Sequence, residues 1–245
     1  MLAVAATGCL LPARLRPLPA ASADGLLRGL AERRTELRSL RARARVREGI
    51  NSLWTREIVL VRRPDDVRVD VLSPFGLAIA IGTDGDRLWA FPPADGVRYE
   101  GPASPENLSR ILGAPIALGD LVDVLTGLPP QRTPAGPLQL DATPEREYRL
   151  LLPLADGVQR LWFAGDPLQL VRAEESRTGT PVLRVAFGDH DAGLPHTIEV
   201  TAPASGATLT LRYEQVEQNP ALDPALFAPP DAPAVRPLPA TPTKG

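Results

Sequence analysis

The chain has 245 residues, 44% of them hydrophobic, a mean hydropathy of -0.06 and a formal net charge of -2. That supply of apolar side chains suffices for a buried core, and the near-neutral charge argues against a general polyanion binder. A single cysteine excludes an intrachain disulfide framework and a Cys-based zinc site, and no apolar run approaches the roughly 18 residues of a membrane-spanning helix. Aromatics make up only 4%, so core volume has to come from Leu, Val, Ile and Ala. Lys244 is the sole lysine, and the other basic residues are arginines.

The chain opens on Leu2-Ala3-Val4-Ala5-Ala6-Thr7-Gly8 and then Cys9. Small residues ahead of a lone near-terminal cysteine resemble the lipobox of bacterial lipoproteins, in which the thiol carries diacylglycerol and the peptide is cut before the cysteine. The resemblance implies a truncated signal over 1–8 and a membrane anchor at Cys9. Since no Lys or Arg precedes Cys9, either the true start lies upstream, the reading favoured here, or the segment is no signal and Cys9 is an ordinary small apolar residue at a frayed terminus. Leu10, rather than Asp, follows the cysteine, as in lipoproteins released to the outer membrane. Residues 9–23, rich in Pro and Ala, read as a tether, and 24–228 as one domain.

Asp24 reads as a helix N-cap, with Leu26, Leu27, Leu30, Leu37 and Leu40 near one stripe. At Ser39 the period changes from helical to two: Leu40, Ala42, Ala44 and Val46 alternate with Arg41, Arg43, Arg45 and Arg47, a half-buried strand. The arginines from Arg28 to Arg47 suit either anionic head groups or a solvated edge with Glu32, Glu36 and Glu48 as partners. Strands are expected over 53–63, 67–72, 77–82 and 87–91, divided by turns such as Thr83-Asp84-Gly85-Asp86. That turn lacks the further acids of a calcium loop.

Ser104-Pro105-Glu106-Asn107 opens a short helix with Leu108, Ile111 and Leu112 on its apolar face. A second helix is predicted from about Leu118 to Thr126, stopped by Gly127 and Pro129-Pro130. Strands follow over 148–152, 158–163, 168–174, 182–187, 196–201 and 208–215, with meander spacing and no βαβ rhythm. From Ala228 onward Pro and Ala dominate, so residues 229–245 read as a disordered tail. The sum is a mainly β (α+β) fold, a curved antiparallel half-barrel of roughly ten strands with a helical lid over an apolar cavity.

Over residues 39–216 the sequence resembles LolB-like proteins of the LolA/LolB lipoprotein-localisation superfamily. The segments that carry the resemblance run from Val67 to Gly76, from Glu106 to Ile116 and from Leu118 to Pro129. The family shows a strand ending in Pro-Leu-Gly (here Pro74-Phe75-Gly76) and a short helix ending in Gly-x-Pro (Gly113-Ala114-Pro115). An apolar helix then ends in Leu-x-Gly-x-Pro (Leu125 to Pro129). A weaker echo is the segment from Phe187 to Asp191 with Leu194-Pro195. The resemblance implies an outer-membrane lipoprotein facing the periplasm that takes lipoprotein acyl chains from a periplasmic carrier protein. It also implies a membrane-contact loop at Phe75 and Leu77, and Phe75 equally fits a minor core position under the hairpin.

The inward positions expected to line the cavity are Leu60, Val69, Ile79, Ile81, Leu88, Leu150, Trp162 and Val185, capped by Ile111, Leu121 and Leu125. Each is also an ordinary core position. Together they would hold an acyl chain at about 0.8 kcal/mol per CH₂ without a polar contact. An enzyme would have to use Asp189, His190, Asp191 and His196, read as a solvated turn with no catalytic motif beside it. No catalytic residue, cofactor or metal site is expected. Nor is nucleic acid, since aromatics do not interleave with the arginines. The competing reading is a structural or interaction lipoprotein using the same fold without lipid cargo.

Overall fold

A computed structural model describes residues 18–49, 52–112 and 116–238. Cys9, the 1–8 segment, Gly113 to Pro115 and residues 239–245 lie outside them. A helix, α1 (Ala23–Glu36), precedes strands β1 (Ser39–Glu48), β2 (Thr55–Arg62), β3 (Asp66–Ser73), β4 (Gly76–Asp84), β5 (Arg87–Phe91) and β6 (Val97–Pro102). Two helices follow, α2 (Pro105–Leu112) and α3 (Leu118–Leu125). The remaining strands are β7 (Gln139–Ala142), β8 (Glu147–Leu154), β9 (Gly157–Ala164), β10 (Gln169–Arg177), β11 (Thr180–Asp191), β12 (Leu194–Ala202), β13 (Ala207–Gln218) and β14 (Ala234–Pro237).

All the strands belong to one open, curved sheet in the order β14-β6-β5-β4-β3-β2-β1-β13-β12-β11-β10-β9-β8-β7. Neighbours are antiparallel except β14, which runs parallel to β6. The half-barrel with a helical lid expected from the sequence is the architecture found, with fourteen strands rather than roughly ten. The added strands β6, β7 and β14 are short or lack a clear alternation. Ser22, rather than Asp24, caps α1, its Oγ accepting from the Gly25 N–H at 3.1 Å, and Asp24 sits in the first turn. That arrangement still places an acid at the positive end of the helix.

β1 shows how pattern becomes placement. Leu40, Ala42, Ala44 and Val46 are buried on the concave face, while Arg41, Arg43 and Arg45 point to solvent. The main core lies on this concave face under the helices, and Leu26, Leu27 and Leu30 of α1 pack against it. The outward arginines pair across to β13, Arg41 with Glu217 at 3.1 Å and Arg45 with Glu214 at 2.9 Å. Their partners are therefore on the neighbouring strand, not Glu32, Glu36 or Glu48.

A buried ionic knot fixes the lid. Asp123 of α3 receives Arg34 of α1 at 3.0 Å and Arg63, from the β2–β3 turn, at 2.7 Å. Arg63 also donates to the Leu37 carbonyl and to Thr126 Oγ1, and Arg34 to the Pro129 carbonyl. This pair of cations around one carboxylate holds α1, α3 and the sheet in one register.

The convex face carries a smaller core of Leu60, Leu222 and Phe227, with Ile58 and Leu226 against it. Trp89 belongs to this side, its Nε1 donating to the Phe227 carbonyl at 3.0 Å. The chain after β13 crosses this face as a strap and adds β14 to the edge. Residues 234–237 of the segment read as a disordered tail are thus a strand. A Pro- and Ala-rich stretch lacks an alternating pattern, yet its extended backbone pairs readily with a sheet edge, where Pro237 is tolerated.

Candidate functional site

Between the concave face and helices α2 and α3 lies an apolar cavity of about 160 Å³. Val59, Val69 and Ile81 form its floor, Leu183, Val200 and Leu209 one wall, and Ile111, Leu121 and Leu125 its roof. Tyr213, fully buried beside it, donates its hydroxyl to the Leu125 carbonyl at 2.7 Å, and burial holds its phenol far above the usual range.

Of the residues the sequence assigned to this space, Val69, Ile81, Leu88, Ile111, Leu121 and Leu125 line it. Leu150 and Val185 are packed in the same concave core without lining it, and Ile79 is half-buried beyond its edge. Leu60 and Trp162 face the other way. Leu60 belongs to the convex core, and Trp162 lies under the Arg172 guanidinium, 4.0 Å from its ring centroid. Both sit in four-residue apolar runs, Ile58-Val59-Leu60-Val61 and Leu161-Trp162-Phe163-Ala164. A strand covered on both faces loses the alternation that tells inside from outside.

The cavity reaches one end of the sheet. Val46 and Glu48 end β1, Glu57 is near the start of β2, Val71 is near the end of β3, and Ala202 and Ala207 flank the β12–β13 turn. The pairings Val46 with Thr55, Arg56 with Leu72 and Glu48 with Leu209 place those positions side by side. Sequence reasoning gave Glu48 only as a partner for the arginines and passed over Glu57, because nothing local distinguishes them from surface acids. Burial pushes the Glu57 carboxyl up, the Thr55 hydroxyl at 2.9 Å opposes this, and Glu48 adds to it.

The same end carries the most exposed apolar side chains. Phe75 is 100% exposed at the tip of the β3–β4 turn and Leu53 is 89% exposed between β1 and β2, with Leu77 at the margin. The turn is rigid. Ser73 Oγ accepts from the Phe75 N–H at 3.2 Å and donates to the Gly76 carbonyl at 3.1 Å, and Gly76 takes φ 116°, open to glycine. Phe75 therefore does not fold under the hairpin. Next to Leu53, Trp54 is clamped between Arg47 and Arg212, each 4.9 Å from its ring.

A second cavity of about 320 Å³, with Asp120, Arg132 and Glu175 in an otherwise mostly apolar wall, adjoins the first, sharing Ile116, Leu183 and Ala202. Its Arg132 is already paired, to Asp120 at 2.6 Å and to Glu175 at 2.8 Å. Asp189, His190 and Asp191 lie within β11 rather than in a turn, His190 opposite Pro195. Burial lowers the His190 pKa, and the Thr197 hydroxyl donates to Asp189 Oδ2. Among the described residues no group of three His, Cys, Asp or Glu side chains is arranged to hold a metal ion, and no helix is long and apolar enough to cross a membrane.

The sequence matches no family model and no curated protein. The fold does match solved structures. A LolA superfamily protein from Nitrosomonas europaea aligns at 19% identity over 86% of this chain and 99% of that one, with a TM-score of 0.56. A domain from Vibrio parahaemolyticus named for outer membrane lipoprotein sorting aligns at 14% identity over 84% and 97%, TM-score 0.55. A DUF1329 family protein from Desulfovibrio piger aligns at 13% identity over 84% and 95%, TM-score 0.54. The chain therefore has a LolA-like fold, an open half-barrel with helices over its concave face.

Proposed function

We propose that this protein binds acyl chains of lipids or lipoproteins between the half-barrel and its helical lid, as a LolB-type acceptor in lipoprotein sorting at the outer membrane. The observation that carries the reading is the apolar cavity ending at the same end of the sheet as Phe75 and Leu53. A chain entering there moves from membrane to cavity along an apolar path, each CH₂ contributing about 0.8 kcal/mol. The fold shared with the Vibrio parahaemolyticus sorting domain supports it. In this reading lipidated Cys9 anchors the protein, the body faces the periplasm, a periplasmic carrier protein supplies the cargo, and Phe75 and Leu77 touch the bilayer.

The cavity is comparable in volume with the roughly 150 Å³ apolar hole that stays dry and accepts one benzene-sized ligand. A whole acyl chain therefore requires α2 and α3 to move outward from the sheet. Native mass spectrometry of a Cys9→Ser variant extracted without lipid anchor tests the reading. Co-purifying lipid or acylated peptide is the expected result, and a protein that stays empty when offered lipid leaves the scaffold reading in its place.

A further inference from the structure

We infer that the head end of the bound chain carries a positive charge, an ammonium group, and that Glu48 and Glu57 select it. This rests on the acyl-chain reading above and names the class of cargo. Glu48 and Glu57 share the concave face, since Glu57 pairs with Ala44, and Ala44, Val46 and Glu48 alternate onto that face. They are the charged groups lining an otherwise apolar cavity, and they stand at its membrane end.

The selection shows in what is missing as well as in what is present. The chain has 27 basic residues, yet among the described residues none lines this cavity. Neither Glu48 nor Glu57 has an ion-pair partner among the described residues. The contact at 2.9 Å between the Thr55 hydroxyl and Glu57 Oε1 supplies one neutral hydrogen bond. Arg47 and Arg56 neighbour the two acids in sequence, but alternation sends them to the opposite face. In the adjoining cavity Arg132 is already taken by Asp120 and Glu175, the latter also paired with Arg177 at 2.6 Å. An anionic head drawn into this end would meet two like charges, half-buried Glu57 and exposed Glu48, whereas an ammonium head would supply the absent counter-charge.

The experiment compares three amphiphiles of one chain length, decylammonium, decanoate and decanol, titrated calorimetrically into the purified chain below their micellar concentrations. Decylammonium is expected to bind at least about tenfold more tightly than decanoate, and the Glu48→Gln, Glu57→Gln double variant to bring the two within about threefold. Decanol affinity should be unchanged in the double variant, which also shows that the variant is folded. Decanoate binding as tightly as decylammonium to the native chain, or a preference that survives in the double variant, overturns the inference while leaving chain binding intact. Failure of decanol itself to bind overturns the acyl-chain reading, and this inference with it.

Discussion

The hydroxyl of Tyr213, rising from the middle of the sheet, donates to the carbonyl of Leu125 at the last turn of α3, 2.7 Å away. It satisfies a helix-terminal carbonyl that has no intrahelical partner, at a depth where water does not reach. Tyr213→Phe keeps the ring and deletes the bond, leaving that carbonyl buried and less satisfied. A loss of about 1–2 kcal/mol is expected in denaturant melts. Lipid binding should not weaken in proportion, because the bond opposes outward movement of the lid.

Asp123 makes a stronger prediction. Its side chain is only 5% exposed and serves two arginines that are themselves mostly covered. Asp123→Ala strands two buried cations, which typically costs about 3–5 kcal/mol. A large drop in Tm is expected, and it should exceed that of Arg41→Ala, whose exposed ion pair with Glu217 is worth about 0–1 kcal/mol.

Gly82 is fixed by proximity. A Cβ there would sit 2.4 Å from the Trp89 ring, which is fully buried. Gly82→Ala must displace that indole and strain its bond to the Phe227 carbonyl. The expected destabilisation is about 1–3 kcal/mol, as for other overpacked cores, read by thermal or chemical melting.

Glu57 gives the protein a pH signature. Its folded pKa lies above its unfolded value, so the native state holds a proton that the unfolded state has released. Stability is therefore highest below the unfolded value near 4.5, falls as pH rises through the folded pKa, and stays lower above it. Glu57→Gln should raise Tm at pH 7 and leave it unchanged at pH 3 or below, where the carboxyl is neutral in both folded and unfolded states. Equal Tm gains at both values would assign the effect to something other than the carboxylate.

Phe75 tests the membrane edge. It is fully exposed and packs against nothing, so Phe75→Glu should change stability by no more than about 0.5 kcal/mol. Sedimentation with phosphatidylcholine vesicles, using protein without its lipid anchor, should fall markedly in the variant. Leu53→Glu should act the same way, since both side chains project from one end of the sheet.

How much of this was legible in the sequence follows physical lines. The change of period at Ser39, the turns at Asp84-Gly85 and the two short helices stood out because each is a local pattern. Leu60 and Trp162 did not, because strap and arginine cover the outer face and erase the alternation. β14 was invisible because its pairing with β6 joins residues more than a hundred positions apart in a composition typical of disorder. Glu48 and Glu57 acquire meaning only when β1, β2 and β13 bring them to the cavity. That assembly is a property of register, not of any short segment.

The strand order has a mechanical consequence. β6 lies next to one edge and β7 forms the other, so the segment joining them, which contains α2 and α3, strings the bowed sheet from side to side. The cavity lies between bow and string. In the proposed function, filling it would lift the string against the Asp123 ion pairs and the Tyr213–Leu125 bond, but would separate no pair of hydrogen-bonded strands. On that reading the ladder that defines the fold would stay unbroken whether the cavity is empty or filled.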